Sequence, residues 1–123
     1  MQDFRKLDIY KRAIEYCSEI YRFSANLPDD EKYGLISQMR RAGTSIPLNI
    51  SEGAGCTTNK EFAHFVSFAY RSVNEVLTCL ELIEKLGLDR DIDNLDKLRN
   101  EGMQLSRMTY VFIKKVGGGI SFK

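Results

Sequence analysis

Four long stretches of this chain carry apolar residues at steps of three and four, and that period leaves little room for any fold but helices. Only two prolines interrupt 123 residues, and the strict alternation of half-buried strands is scarce. Asp3 stands where it can cap a first helix, predicted over 4–25, with the stripe Phe4, Leu7, Tyr10, Ile14, Cys17, Tyr21 and Ser24. The turn after it holds the breaker Pro28 and two capping acids, Asp29 and Asp30. A second helix over 30–54 then places Leu35, Met39, Ala42, Ile46 and Ile50 on one face.

Thr58 and Glu61 form a capping box, in which Thr58 accepts from the Glu61 N–H and Glu61 reaches back. The third helix it opens, over 59–86, has the seam Phe62, Phe65, Val66, Ala69, Val73, Val76, Leu80 and Ile83, with Gly87 as a left-handed terminator. The fourth, over 92–116, carries Leu95, Leu98, Gly102, Leu105, Met108, Phe112 and Val116, and residues 117–123 are expected to be a flexible tail. Short turns between long amphipathic helices make neighbours antiparallel. The expected fold is therefore all-α, one up-down-up-down four-helix bundle over 1–116. Pro47, inside the second helix, crowds the carbonyl of Gly43, so a kink is expected there.

Composition sets the limits on function. With 43% hydrophobic and 28% charged residues the chain can hold a core without staples. Cys17, Cys56 and Cys79 are an odd number without a close pair, against both a disulfide framework and a C-x-x-C zinc site. With no signal-peptide run at Met1–Arg5 and no long apolar span, the expected location is the cytoplasm, with no membrane partner. A net charge of +1 makes the whole chain a poor polyanion binder, so any nucleic-acid contact must come from local patches.

Gln38, Arg41, Ser45, Asn49 and Glu52 recur at helical steps beside the apolar face of the second helix, and Ser72 and Glu75 make a shorter step on the third. They read as a hydrogen-bonded network that sets register or subunit contact, anchored by Arg41 on Glu52 or Glu75; the other reading is a recognition strip. Arg40, Lys60 and Arg71 are candidate phosphate contacts. Phe68, Cys79 and Leu82 lie on the back of the third helix, where a monomer places solvated residues, and mark an oligomer face. Glu61 and His64 imitate half of a di-iron element, but His64 is the only histidine, and no second element exists. The same scarcity removes most Ser-His-Asp and Cys-His schemes. No catalytic residue, metal, cofactor or small-molecule substrate is expected.

Tyr33-Gly34-Leu35, Gln38-Met39-Arg40-Arg41-Ala42 and Ser45-Ile46-Pro47-Leu48-Asn49-Ile50-Ser51-Glu52-Gly53 resemble the four-helix proteins encoded in intervening sequences of bacterial large-subunit ribosomal RNA genes. The likeness continues through Glu61-Phe62, Phe65, Ser72 and Glu75, and Phe4-x-x-Leu7-x-x-Tyr10 also fits. It implies a homo-oligomer, typically a ring of five. A related branch, the accessory protein of diversity-generating retroelements, is a basic pentamer that partners a reverse transcriptase and nucleic acid. This chain departs from the pattern at Gly53-Ala54-Gly55-Cys56, where a cation is lost, and at Arg71-Ser72, where Gly-Ser is common. The expected function is a non-enzymatic homo-oligomeric bundle binding RNA or an RNA-processing protein; the alternative is a protein-only scaffold.

Overall fold

The computed structural model describes residues 3–117 and, within them, every side chain except those of Lys32 and Tyr33. Four helices account for most of it: α1 (Asp8–Ser24), α2 (Ser37–Ala54), α3 (Asn59–Lys85) and α4 (Ile92–Gly117). No strand occurs among the described residues; of the expected tail over 117–123, Gly117 belongs to α4 and the rest lies outside them. None of these helices is long and apolar enough to cross a membrane.

Helix ends follow local chemistry. The Asp3 carboxylate does accept a cap bond, from the Arg5 N–H at 3.1 Å, but the segment it caps is only a 3-10 turn over Phe4–Lys6. Leu7 is extended (ψ 133°), so α1 starts at Asp8, later than the sequence stripe implies. Between Asp29 and Ile36 the chain makes a 3-10 turn and a π turn, and Gly34 (φ −104°, ψ −109°) leaves helical geometry altogether. The irregular entry to the second helix therefore sits at Gly34, and α2 continues unbroken through the buried Pro47.

Thr58 caps α3 by accepting the Glu61 N–H at 3.1 Å, while its own hydroxyl donates to Glu61 Oε1 at 2.9 Å. At the other end Gly87 has φ 66°, and two reversed bonds close the helix: Leu88 N–H to the Ile83 carbonyl and Gly87 N–H to the Glu84 carbonyl. Only a residue without Cβ adopts that φ cheaply, and the paired bonds satisfy carbonyls that a helix end otherwise leaves open. Asp91 plays the N-terminal role for α4, accepting the Asn94 N–H at 3.2 Å.

Each helix packs on two neighbours, and paired positions run in opposite sequence order, as an antiparallel bundle requires. On α2 and α3 the pairs are Gln38 with Glu75 and Ser45 with Ser72, ending at Gly53 against Phe65. On α3 and α4 they are Phe62 with Phe112, Asn74 with Ser106 and Glu84 with Arg99. On α1 and α4, Arg12 meets Gln104 and Glu19 meets Lys97.

The core uses the expected faces of α2, α3 and α4, with Met39, Ile46, Ile50, Val66, Val73, Leu80, Ile83, Leu95 and Leu105 essentially sealed. Each such side chain contributes about 1.5–3 kcal/mol by leaving water. In α1 the face is different. Ile9, Ala13, Tyr16, Ile20 and Phe23 are buried, whereas Ile14 and Tyr21 from the sequence stripe are 45% and 42% exposed. Cys79 also departs from expectation. At 3% exposure it belongs to the core, because α3 packs against both α2 and α4 and buries a wider arc than one seam.

Candidate functional site

The α2–α3 face brings five of the seven polar-strip residues into two small networks. Gln38 Nε2 donates to Glu75 Oε2. Ser72 donates its hydroxyl to Ser45 Oγ at 2.9 Å, and Asn49 Nδ2 reaches both Ser45 Oγ (2.9 Å) and the Ser45 carbonyl (2.8 Å). The Gln38–Glu75 and Ser72–Ser45 bonds tie α2 to α3, the first between exposed residues and the second at half-buried positions, where unmet polar groups are costly. Arg41 and Glu52 stay outside. Both are exposed, and no ion pair among the described residues includes either. Eleven helical residues separate them by about 16 Å, beyond side-chain reach, and Gln38 already occupies Glu75. The expected Arg41–carboxylate anchor is therefore not formed in this chain.

Arg40 is also placed differently from expectation. Its Nε–H donates to Ser24 Oγ at 2.7 Å, one Nη–H donates to the Tyr21 carbonyl at 3.3 Å, and the guanidinium lies 4.7 Å over the Tyr21 ring. A cation at the end of α1 faces the negative end of the helix dipole and gives the buried Ser24 hydroxyl a donor. Arg40 is thus a clamp between α2 and the end of α1 rather than a free phosphate contact.

What α3 presents is a strip. Lys60, His64, Phe68, Arg71 and Glu75 follow steps of four, four, three and four, so they line one side of the helix. Phe68 is half-buried and the others are exposed. The His64 and Phe68 rings meet edge to face at 4.7 Å, Phe65 supports both, and the Arg71 guanidinium sits 5.7 Å from the Phe68 centroid. Lys60 and Arg71 belong to no ion pair among the described residues. Of the three expected oligomer contacts, Phe68 therefore sits in this aromatic group, Cys79 is internal, and Leu82 remains exposed beside Leu86. Nothing in the sequence marks His64 as a strip member, since a lone histidine stands out there only as a metal-ligand type. No group of three or more metal-ligating side chains occurs among the described residues. Desolvation raises the thiols of Cys17, Cys56 and Cys79, the opposite of what an activated nucleophile needs.

A second polar group has no signature in the sequence because its members come from two helices. Tyr16 and Glu19 of α1 meet Glu101 of α4 beside Gly102, where the Tyr16 hydroxyl occupies the space a Cβ would need. Burial, then the neighbouring Glu19, push the Glu101 carboxyl up to about 7, against a smaller downward pull from Lys97. Tyr16 is raised by burial first, with Glu101 and Glu19 adding to it. Because the folded state holds the Glu101 proton more tightly than an unfolded chain does, stability falls as pH rises from about 4.5 toward 7. Urea titrations of Glu101→Gln at pH 5 and pH 8 are expected to remove that decline. The difference is on the order of 1 kcal/mol once solvent screening of a half-buried group is allowed for. Equal pH dependence in variant and wild type would show that Glu101 does not hold the proton.

Comparison with known proteins agrees with this architecture. The family described as 23S rRNA-intervening sequence protein matches residues 5–111. A crystal structure of a protein of unknown function from the S23 ribosomal protein family of Bacteroides thetaiotaomicron superposes with a TM-score of 0.76 at 23% identity. The match covers 86% of this chain and 98% of that one. No curated protein matches the chain.

Proposed function

Since the chain belongs to the 23S rRNA-intervening sequence protein family, we propose that it is a non-enzymatic, self-assembling bundle that binds RNA through its α2–α3 face. The observation that carries this reading is the α3 strip, where two exposed cations, Lys60 and Arg71, flank the rings of His64 and Phe68. Single-stranded nucleic acid asks for that combination: cations along the backbone and flat rings on which bases stack, each stack being worth about 1–3 kcal/mol. Arg41 on α2 is a further exposed cation.

Self-assembly rests on a different set of residues. Leu82 on α3 with Leu86 at its C-cap, and Ile14 and Tyr21 on α1, are all exposed, each pair on one side of its helix. A ring of five subunits would repeat the α3 strip five times, so individually weak contacts would act together.

Light scattering at micromolar concentration is expected to give a mass five times the 14.1 kDa chain, and single-stranded RNA is expected to bind at low salt. A monomer would remove the assembly claim. An assembled protein that ignores RNA even at low salt would instead support a protein-only scaffold.

A further inference from the structure

From the cavity between α1 and α4 we infer a binding site for an organic cation, a primary ammonium or guanidinium head group. The cavity is about 380 Å³, lined by Arg12, Glu15, Tyr16, Glu19, Glu101 and Gln104 with Leu105 behind them. Three of these are carboxyl residues, but acidity alone would not define a site. The second observation is Tyr16, which is only 2% exposed and whose hydroxyl has no hydrogen-bond partner. Glu19 Oε2 is likewise buried and without a donor. Buried polar atoms are nearly always satisfied, so two orphans lining one cavity point to something that supplies N–H or O–H groups there.

The cations already present do not meet that need. Lys97 approaches only Glu19 Oε1, at 3.9 Å, and keeps most of its side chain in water. Arg12 gives one N–H to Gln104 at 3.0 Å and forms no ion pair with Glu15, Glu19 or Glu101 among the described residues. Arg22 does not line the cavity and pairs loosely with Glu15, again at 3.9 Å. Within the chain itself a proton on Glu101 can supply Glu19 with a donor, in keeping with the raised Glu101 carboxyl, but the Tyr16 hydroxyl stays unmatched. An ammonium or guanidinium group has several donors on one centre, can serve both carboxylates and the phenol oxygen, and brings the charge that lets Glu101 release its proton. Water could fill the space but could not supply that charge.

The same head group can come from a free amine or from a lysine or arginine of a second copy, and the test separates them. Agmatine and putrescine are titrated into the isotope-labelled protein at pH 8 while backbone NMR signals are followed. Saturable shifts are expected along residues 12–22 and 97–105. Because the ligand competes with the Glu101 proton, its affinity should fall about tenfold between pH 8 and pH 6. Glu19→Gln should abolish the effect, and Tyr16→Phe, which keeps the ring and therefore the packing, should weaken it several-fold. If the natural occupant is a side chain of another copy, agmatine will also lower the mass seen by sedimentation, and Glu19→Gln will lower it without ligand. A free-ligand site leaves the mass unchanged. Shifts scattered over all acidic surfaces, or shifts that survive in Glu19→Gln, would overturn the inference, as would no saturable response at millimolar ligand.

Discussion

Gly53→Val is expected to lower the stability of the bundle by about 3 kcal/mol through steric crowding. Gly53 is buried where α2 packs tightly on α3. A Cβ there would stand 2.8 Å from Phe65 Cβ, 2.9 Å from Phe62 Cδ1 and 3.0 Å from the Phe62 carbonyl oxygen. One of those neighbours is backbone and another is the root of a side chain, so neither can swing aside. The helices must separate, and the edge-to-face contact of Phe62 with Phe112, at 5.0 Å between centroids, would be disturbed as well. The gain in helix propensity on replacing glycine, less than about 1 kcal/mol, is too small to compensate. Gly55→Ala is the control: its added Cβ would meet nothing closer than 3.5 Å, so stability should stay within about 0.5 kcal/mol. Urea denaturation of both variants reads the difference. A Gly53→Val protein as stable as wild type would mean that the α2–α3 approach is looser than described.

The second large effect belongs to Arg40. Arg40→Met should cost about 2 kcal/mol, because it removes charge-assisted bonds to Ser24 Oγ and the Tyr21 carbonyl together with the stacking on Tyr21. Ser24 is 1% exposed, so its hydroxyl keeps only the donation it already makes to Tyr21 and is left without a donor of its own. The adjacent Arg41→Met should change stability by less than about 0.5 kcal/mol, since Arg41 is exposed and unpaired among the described residues. Two neighbouring arginines thus have opposite expected outcomes. Equal destabilisation, or a greater effect at Arg41, would place the structural arginine on the wrong side of α2.

That reversal shows what the sequence could and could not convey. The 3.6-residue period located α2, α3 and α4 and their buried faces, because one stripe in each is clearly more apolar than any other. In α1 two stripes overlap, one through Ile14 and Tyr21 and another through Ala13, Tyr16 and Ile20. The true core face contains a small alanine and a tyrosine, so it scores poorly on hydrophobicity although Ala13 and Ile20 are fully buried. The capping residues Asp3, Thr58 and Gly87 were legible because each acts within a few positions of itself.

Side-chain partners across helices were less accessible. Helical spacing correctly put Gln38, Ser45 and Asn49 on a side shared with Ser72 and Glu75, yet it gave no means of telling that Arg40 would turn toward α1. Nor does any local pattern join Tyr16 and Glu19 to Glu101, more than eighty positions away. That cavity depends on the register of α1 against α4, which arises from packing around Gly102 and Tyr16 and not from residue spacing.

The α3 strip is tested most directly by the salt dependence of RNA binding. Fluorescence anisotropy with a single-stranded RNA, across a series of salt concentrations, gives the slope of log affinity against log salt for wild type, Arg71→Gln and Phe68→Ala. For wild type the slope should be steep, since counterions leave the RNA as cations bind it. Arg71→Gln should flatten it by about 0.7 for each phosphate that Arg71 neutralises in the wild type. Phe68→Ala should weaken binding at every salt concentration by about 1–3 kcal/mol per stacked base while leaving the slope unchanged. Identical curves for all three proteins would contradict the assignment of RNA binding to this face.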